Sequence, residues 1–196
     1  PSVSDLKELL KHPEFKTPPA KTEAQIEAEN KAFAETKAKA EAGDATGQYN
    51  LGGMYYEGRG VEQDFKEALK WWQKAADQGF PQAQNNLGVM HEKGQGVEQD
   101  FKEAVKWWQK AAEQGHALAQ FNLGVMYVRG QGVEKDFKKA MKWSRDAAVQ
   151  GHAEAQYLIG AIHERGGLAG DAIDYVTAYA WYDLASKNGN HPAKIR

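Results

Sequence analysis

The sequence contains no cysteine, which excludes disulfide bonds and thiol chemistry. No stretch approaches the roughly 18 uninterrupted apolar residues that a membrane helix needs, so we expect no membrane insertion. A large excess of one sign of charge is also lacking: the formal net charge is −2 although 27% of the residues are charged. Nothing in this balance favours nucleic acid as a partner. These absences direct attention to the pattern of the remaining residues.

A short motif recurs along the chain at a constant interval. It begins at Gln48, Gln84, Gln120 and Gln156, and each start lies 36 residues after the previous one. Each motif ends in glycine, as in the run Gln48-Tyr49-Asn50-Leu51-Gly52. A fixed period of about 20–50 residues is typical of a solenoid, in which one supersecondary unit is stacked on copies of itself. The sequence therefore predicts a repeat protein.

The period divides the chain into predicted segments. Prolines interrupt helices, and Pro13, Pro18 and Pro19 indicate an extended or mobile start. The following stretch is rich in Ala, Glu and Lys, which are strong helix formers. We assign a flexible lead-in to residues 1–21, a capping helix to 22–43, repeats to 44–79, 80–115, 116–151 and 152–189, and a tail to 190–196. The fourth repeat is two residues longer, and the extra length falls in the glycine-rich loop after residue 165.

The first residue bears on localisation. The chain begins with Pro1 rather than Met, which indicates that a leader was removed by processing or by cloning. We expect a periplasmic or secreted protein, with the cytoplasm as the alternative.

Two helices are predicted in each repeat. The first runs from about Ala45 to Glu57, and Gly58 supplies the positive φ that ends it. Asp64 stands where the second helix needs an N-cap, with Glu67 placed to complete a capping box. The same arrangement recurs at Asp100 with Glu103. Apolar residues then follow at 3–4 spacing and form one stripe.

This pattern resembles the Sel1-like repeat family. The residues that carry the resemblance are Ala-x-Ala-Gln-x-Asn-Leu-Gly-x-x-Tyr, then Gly-x-Gly-Val-x-x-Asp, then Ala-x-x-Trp-x-x-x-Ala-Ala-x-x-Gly, across residues 44–189. The resemblance implies an all-α fold: a right-handed α/α superhelix of about four 36-residue helix-turn-helix repeats, with first helices lining the concave side. It implies a non-enzymatic adaptor that binds a protein or peptide, without a cofactor. A cysteine-rich subgroup implies the alternative of a small-molecule (penicillin-type) binder or hydrolase, but its paired cysteines are absent here.

The outward face of the first helices predicts a binding groove. Advancing 100° per residue places one side of each first helix opposite the apolar stripe. That side contains aromatic, aliphatic, amide and basic residues. Aromatic and aliphatic residues are unusual on the solvent-facing side of a helix unless another molecule covers them. The predicted groove residues are Tyr49, Asn50, Tyr56, Asn85, Asn86, Val89, Glu92, Lys93, Leu118, Phe121, Asn122, Val125, Val128, Arg129, Tyr157, Glu164 and Arg165.

Each part of this groove has a structural alternative. Asn50, Asn86 and Asn122 could bond to the loops between repeats, because half-buried amides are usually satisfied nearby. Phe121 and Tyr157 could pack between adjacent first helices. The basic residues could be paired with Glu92 and Glu164 on a solvated edge.

The tryptophans and histidines do not predict a ligand or metal site. The tryptophans lie at helical spacing beside alanines, which favours the core. His91 and His163 occupy equivalent places two repeats apart, roughly 20 Å if neighbouring helices pack at about 10 Å, so they cannot share one ion. No catalytic set of residues and no glycine-rich phosphate loop is found.

The C-terminal end predicts a second contact surface. The second helix of the last repeat contains Tyr175, Tyr179, Trp181 and Tyr182, more aromatic surface than one inner face needs. A solenoid requires a polar cap at each end. We therefore expect this end, through Tyr179 and Tyr182, to be covered by another chain or a further segment. A structural module that self-associates through its ends is accordingly a further alternative for the function.

Overall fold

The computed structural model of the protein describes residues 21–166 and 173–189. The predictions for the lead-in, the longer fourth-repeat loop and the tail lie largely or wholly outside these residues. The described residues form helices and no strand. The helices are α1 (Glu23–Glu41), α2 (Ala45–Glu57), α3 (Phe65–Asp77), α4 (Pro81–Lys93), α5 (Phe101–Glu113), α6 (Ala117–Arg129), α7 (Phe137–Ala148), α8 (Ala153–Glu164) and α9 (Tyr175–Lys187).

The helices stack as a solenoid, as predicted. α2 with α3, α4 with α5, α6 with α7 and α8 with α9 form four helix pairs, and each pair packs on its sequence neighbours. Below, the first helices are α2, α4, α6 and α8, and the second helices are α3, α5, α7 and α9. In the described part of the chain, no helix combines the length and apolarity needed to cross a bilayer.

The second helices begin at the predicted aspartates. The Asp64 carboxylate accepts hydrogen bonds from the backbone N–H groups of Lys66 and Glu67, and Asp100 caps α5 in the same way. The predicted capping boxes are wrong. The Asp64 N–H, which a box would use, donates instead to the Tyr55 carbonyl at 3.0 Å. Glu67 is therefore left to pair with Lys70 at 3.0 Å.

The core lies between the two layers of helices. It consists mainly of Leu, Met, Ile and Ala of the first helices and Trp and Ala of the second helices. Trp108 is 1% exposed and Trp72 is 4% exposed, which agrees with the core interpretation of the tryptophans. The Trp72 indole N–H donates to the Tyr49 carbonyl at 2.9 Å, so its polar atom is satisfied inside the stack.

The glutamine that opens each motif links successive repeats. Gln84 is 4% exposed. Its amide nitrogen donates to the Ala76 carbonyl of the preceding repeat at 3.2 Å, and its amide oxygen accepts from Gln114 of its own repeat at 2.7 Å. The same pair of bonds recurs at Gln48, Gln120 and Gln156, with Asn188 as the donor in the fourth repeat. The most regular feature of the sequence is therefore a structural ladder.

Helix α1 takes the place of a second helix before the first repeat. The Gln48 amide nitrogen donates to the Ala40 carbonyl of α1, as Gln84 does to Ala76 of α3. Phe33 of α1 meets the Tyr55 ring edge-on at a centroid distance of 5.5 Å. Thr22 caps the helix in a capping box with Gln25. α1 therefore covers the apolar side of α2.

Candidate functional site

The first helices form a wall that contains two recesses. We call it the first-helix wall, and define it by the predicted groove residues of α2, α4, α6 and α8. The first recess lies between the first and second repeats, and the second lies between the third and fourth. Successive first helices lie side by side, so both recesses open on the same wall.

The first recess is aromatic. It encloses about 300 Å³ and is lined by residues that include Tyr49, Tyr56, Trp72, Asn86 and Val89. The Tyr56 ring is held between Phe65 and Trp72, with centroid distances of 5.2 and 5.3 Å. The Tyr56 hydroxyl donates to Gln95 of the next repeat at 3.1 Å. These contacts fix the ring, so this recess is a rigid, partly apolar surface.

The second recess is basic. It encloses about 650 Å³ and is lined by Val128, Arg129, Gln131, Lys135, Phe137 and Arg165. Arg129 and Arg165 are exposed, and neither forms an ion pair with a described residue. The Lys135 ammonium lies over the Phe137 ring, 4.8 Å from its centroid. Unpaired guanidinium groups beside an apolar surface are suited to a carboxylate with a neighbouring apolar group.

The predicted groove residues fall into three classes of exposure. Exposed residues are Asn50, Lys93, Leu118, Arg129, Glu164 and Arg165. Half-buried residues are Tyr49, Tyr56, Asn86, Val89, Glu92, Phe121, Asn122, Val125, Val128 and Tyr157. Asn85 alone is buried, at 4% exposure. The wall is therefore open mainly at its edges, and its central row is partly covered by neighbouring repeats.

Asn85 is not open to the groove as the sequence predicted. The Asn122 amide nitrogen of the next repeat donates to the Asn85 side-chain oxygen at 3.2 Å, and the Asn85 amide nitrogen donates to Asn86 at 3.4 Å. Asn122 thus bonds to a neighbouring first helix, rather than to a loop between repeats as the alternative interpretation described. Asn50, on the same edge one repeat earlier than Asn86, is exposed and lines the first recess.

The Phe121 ring packs against the following repeat, whereas the Tyr157 ring packs against the second helix of its own repeat. The Phe121 ring stacks on His152 with a centroid distance of 4.9 Å, and Tyr157 lies 4.9 Å from the Tyr182 ring. Each ring keeps a partly exposed face. Phe121 therefore contributes to the contact between repeats and Tyr157 to the packing within the fourth repeat, and both contribute to the surface of the wall.

Glu164 does not neutralise the arginines. Its carboxylate accepts a hydrogen bond from the Tyr182 hydroxyl at 2.7 Å, and no ion pair joins it to a described basic residue. Burial, and then this carboxylate, raise the pKa of Tyr182, which keeps its hydroxyl protonated as the donor. Among the described residues, Glu164 therefore does not form the ion pair with the basic residues that the alternative interpretation described.

Lys135 and Phe137 were missed by the sequence reasoning. The equivalents of Lys135 are Gln63 and Gln99, whose amide nitrogens donate to first-helix carbonyls at 2.7 and 2.6 Å. Lysine at this place breaks the pattern and introduces a charge beside the second recess. The sequence signal for Lys135 was thus its difference from the glutamine of the other repeats. The helical projection missed it because it covered only the first helices.

The described residues contain no group of three or more His, Asp or Glu side chains that could hold a metal ion. The histidines near the wall have structural contacts instead. His116 and His152 cap α6 and α8, with each Nδ1 accepting a backbone N–H at 3.3 Å. Burial lowers the pKa of both imidazoles, which favours the neutral form that the cap requires.

Comparison with known proteins places this architecture in a family. The Sel1 repeat pattern matches residues 45–80, 81–116, 117–152 and 153–190, each beginning one residue after the predicted boundary. These matches cover most of the chain. The chain belongs to the Sel1 repeat family. Proteins of this family generally act as scaffolds for protein interactions and are typically non-catalytic.

Solved Sel1 repeat structures are similar to the chain over most of its length. The c5321 protein of uropathogenic Escherichia coli, a protective antigen with an SLR fold, is 41% identical with a TM-score of 0.76 over 81% of this chain. A Sel1 repeat protein from Oxalobacter formigenes is 33% identical with a TM-score of 0.75 over 94%. Immunity protein Pa5087 from Pseudomonas aeruginosa is 25% identical with a TM-score of 0.53 over 90%.

These structures differ from the chain in length. The matched region spans 33% of the c5321 chain, 78% of the Oxalobacter chain and 70% of Pa5087. The Sel1 repeats of this chain thus correspond to one part of the larger proteins.

Proposed function

We propose that this Sel1 repeat protein is a non-enzymatic scaffold that binds an extended segment of a partner protein along the first-helix wall. The observation that carries the proposal is the second recess, where Arg129 and Arg165 are exposed and have no acidic partner among the described residues. Arginines placed beside Val128 and Phe137 favour a segment in which an acidic residue lies next to an apolar one.

The first recess supports the same proposal and extends it. Its tyrosines offer large, rigid surfaces that order few side-chain torsions on binding. The wall therefore has an aromatic end at the first two repeats and a basic end at the last two. A segment with an apolar or aromatic anchor at one end and an acidic residue at the other complements both. The immunity protein among the similar structures is consistent with a protein as the partner.

A charge-reversal experiment tests the proposal. The full chain, the double variant Arg129→Glu with Arg165→Glu, and the control Lys66→Glu with Lys102→Glu are immobilised and incubated with lysate of the native cells. The control makes the same change in net charge on exposed residues of α3 and α5. We expect the wild type and the control to retain the same proteins, identified by mass spectrometry. The arginine variant should retain at most about one tenth of the amount of each.

Salt provides a second readout of the same experiment. The Debye length falls from about 10 Å at 0.1 M to about 3 Å at 1 M, so the retained fraction should fall steeply over this range. Retention that is equal in all three proteins and independent of salt would contradict the proposed role of the basic recess.

A further inference from the structure

Helix α9 has an exposed apolar stripe where the other second helices carry lysine. Counting from the helix-terminal glycines Gly79 and Gly189, the positions of Lys66, Lys70 and Lys74 in α3 are occupied in α9 by Val176, Ala180 and Leu184. Helix α5 repeats the three lysines, and α7 keeps the first two. We define the α9 stripe as Val176, Ala180 and Leu184, with Tyr179 beside it.

The stripe is open to solvent in the single chain. Val176 is 83% exposed, Tyr179 is 75% exposed and Leu184 is 40% exposed. Ala180 is also exposed. Residues four apart lie above one another on a helix, so these side chains form one continuous surface. An apolar face of this kind on a soluble domain marks a contact surface.

Only part of the predicted sticky end belongs to this surface. Tyr182 fills the space over Gly160, where a Cβ would lie 2.7 Å from its ring, and its hydroxyl is bonded to Glu164. It is therefore part of its own repeat, and the prediction that it forms the contact with Tyr179 is wrong. The contact surface is formed by the opposite face of α9.

A further repeat stacked on α9 would not cover the stripe. The position of Tyr179 corresponds to Val105 and Met141, which are buried at 5% and 3% exposure where a repeat follows. The positions of Val176 and Ala180 correspond to Lys102 and Lys106, which stay exposed although a repeat follows. Continuation of the solenoid would thus bury Tyr179 and leave Val176 and Ala180 in water.

We propose that the α9 stripe is a homodimer interface, in which α9 packs antiparallel on α9 of a second copy. A two-fold axis at Ala180 places Val176 of each copy opposite Leu184 of the other, and the small Ala180 side chains allow close approach at the centre. The same arrangement brings Asp174, the N-cap of α9, near Lys187 of the other copy, which in the single chain pairs with Asp183 of its own helix at 2.6 Å. Opposite helix dipoles are then adjacent as well.

This interface goes beyond the proposed binding function, because it lies on the second helices and uses none of the wall residues. A single pair of 13-residue helices is at the small end of specific interfaces, so the dimer should be concentration-dependent. Sedimentation velocity of the full chain across a dilution series measures it directly. We expect a monomer–dimer equilibrium for the wild type.

The matched variant restores the surface found on the other second helices. The triple variant Val176→Lys, Ala180→Lys and Leu184→Lys introduces the residues that α3 and α5 already carry, so the helix should still fold, and circular dichroism checks this. We expect its dimer dissociation constant to rise at least tenfold. Val149→Lys, which replaces an 81% exposed residue outside α9, is the control and should leave the constant unchanged.

The absence of cysteine allows a second test on an otherwise native chain. A disulfide requires two Cα atoms about 4.4–6.8 Å apart. A residue lies this close to the same residue of a second copy only if it stands next to the two-fold axis of a symmetric contact. Ala180→Cys should form a covalent dimer under mild oxidation at least tenfold faster than Val149→Cys. A wild type that stays monomeric at high concentration, or equal cross-linking of the two variants, would overturn the proposal and leave the stripe to a different partner.

Discussion

One glycine in each first helix determines how closely the two layers of the solenoid approach. A Cβ built on Gly52 would lie 2.5 Å from the Trp72 ring, and one built on Gly88 would lie 2.5 Å from Trp108. Neither ring can move easily, because both are buried. In the first two repeats the glycine therefore makes room for the tryptophan of its own repeat, whereas the side chains nearest Gly124 and Gly160 are Ser144 and Tyr182.

The adjacent residue offers a matched comparison. Gly53 follows Gly52 in the same helix, yet a Cβ at Gly53 would meet nothing within 4 Å. We expect Gly52→Ala to destabilise the protein by about 1–3 kcal/mol through overpacking. Gly53→Ala should instead stabilise it by about 0.5–1 kcal/mol, because alanine is the better helix former. Chemical denaturation of both variants measures the difference, and equal effects would contradict this account of Gly52.

At the scale of the helix, the repeat pattern predicted the elements well. The first helix was predicted from Ala45 to Glu57, and α2 has these bounds. The aspartate N-caps were predicted because a carboxylate satisfies N–H groups within three residues of itself, which is a local interaction. Interactions between residues this close in the chain can be predicted from the sequence.

The errors arose where a distant residue competes for a group. The capping boxes at Glu67 and Glu103 do not form because the Asp64 and Asp100 N–H groups donate to carbonyls of the preceding helix. Asn85 lies on the outward side of α4 by helical projection, but Asn122 of α6 covers it. A projection of one helix contains no neighbour, so it cannot distinguish an open position from one that the next repeat buries.

The histidine caps should make stability depend on pH. The Nδ1 atoms of His116 and His152 accept backbone hydrogen bonds, which only the neutral ring can do, and a proton there would oppose the helix dipole. Burial lowers the folded-state pKa of both below the ordinary 6.5, and for His152 this outweighs the opposing effect of Glu154. The stability that these two caps contribute is therefore fully present above about pH 6.5, the ordinary pKa of histidine. It is lost as the pH falls through the lowered pKa values of the folded state.

A double variant isolates this effect from other acid-sensitive groups. Asparagine is a good N-cap without a titratable proton, so His116→Asn with His152→Asn should keep the caps. We expect the unfolding free energy of the wild type to fall more steeply than that of the variant between pH 7 and pH 5, by thermal or urea unfolding. Parallel curves would show that the imidazoles do not contribute.

At the scale of the molecule, the solenoid has two faces with different compositions. The first-helix wall carries aromatic and basic recesses, whereas the second helices α3, α5 and α7 present exposed lysines to water, among them Lys66, Lys102 and Lys138. In the sequence both faces read as mixtures of polar and apolar residues. The two faces differ once neighbouring repeats are in place, because the contacts between repeats determine that Arg129 and Arg165 have no acidic partner among the described residues.

Photo-crosslinking in the native cell distinguishes partners bound at the first-helix wall from partners bound at the second helices. Benzoylphenylalanine is placed at Leu118, a 41% exposed residue of α6, or at Lys102, an exposed residue of α5 on the lysine-bearing side. If partners bind the wall, we expect a light-dependent adduct with another protein from position 118 and none from position 102. Adducts from position 102 without any from position 118 would contradict it.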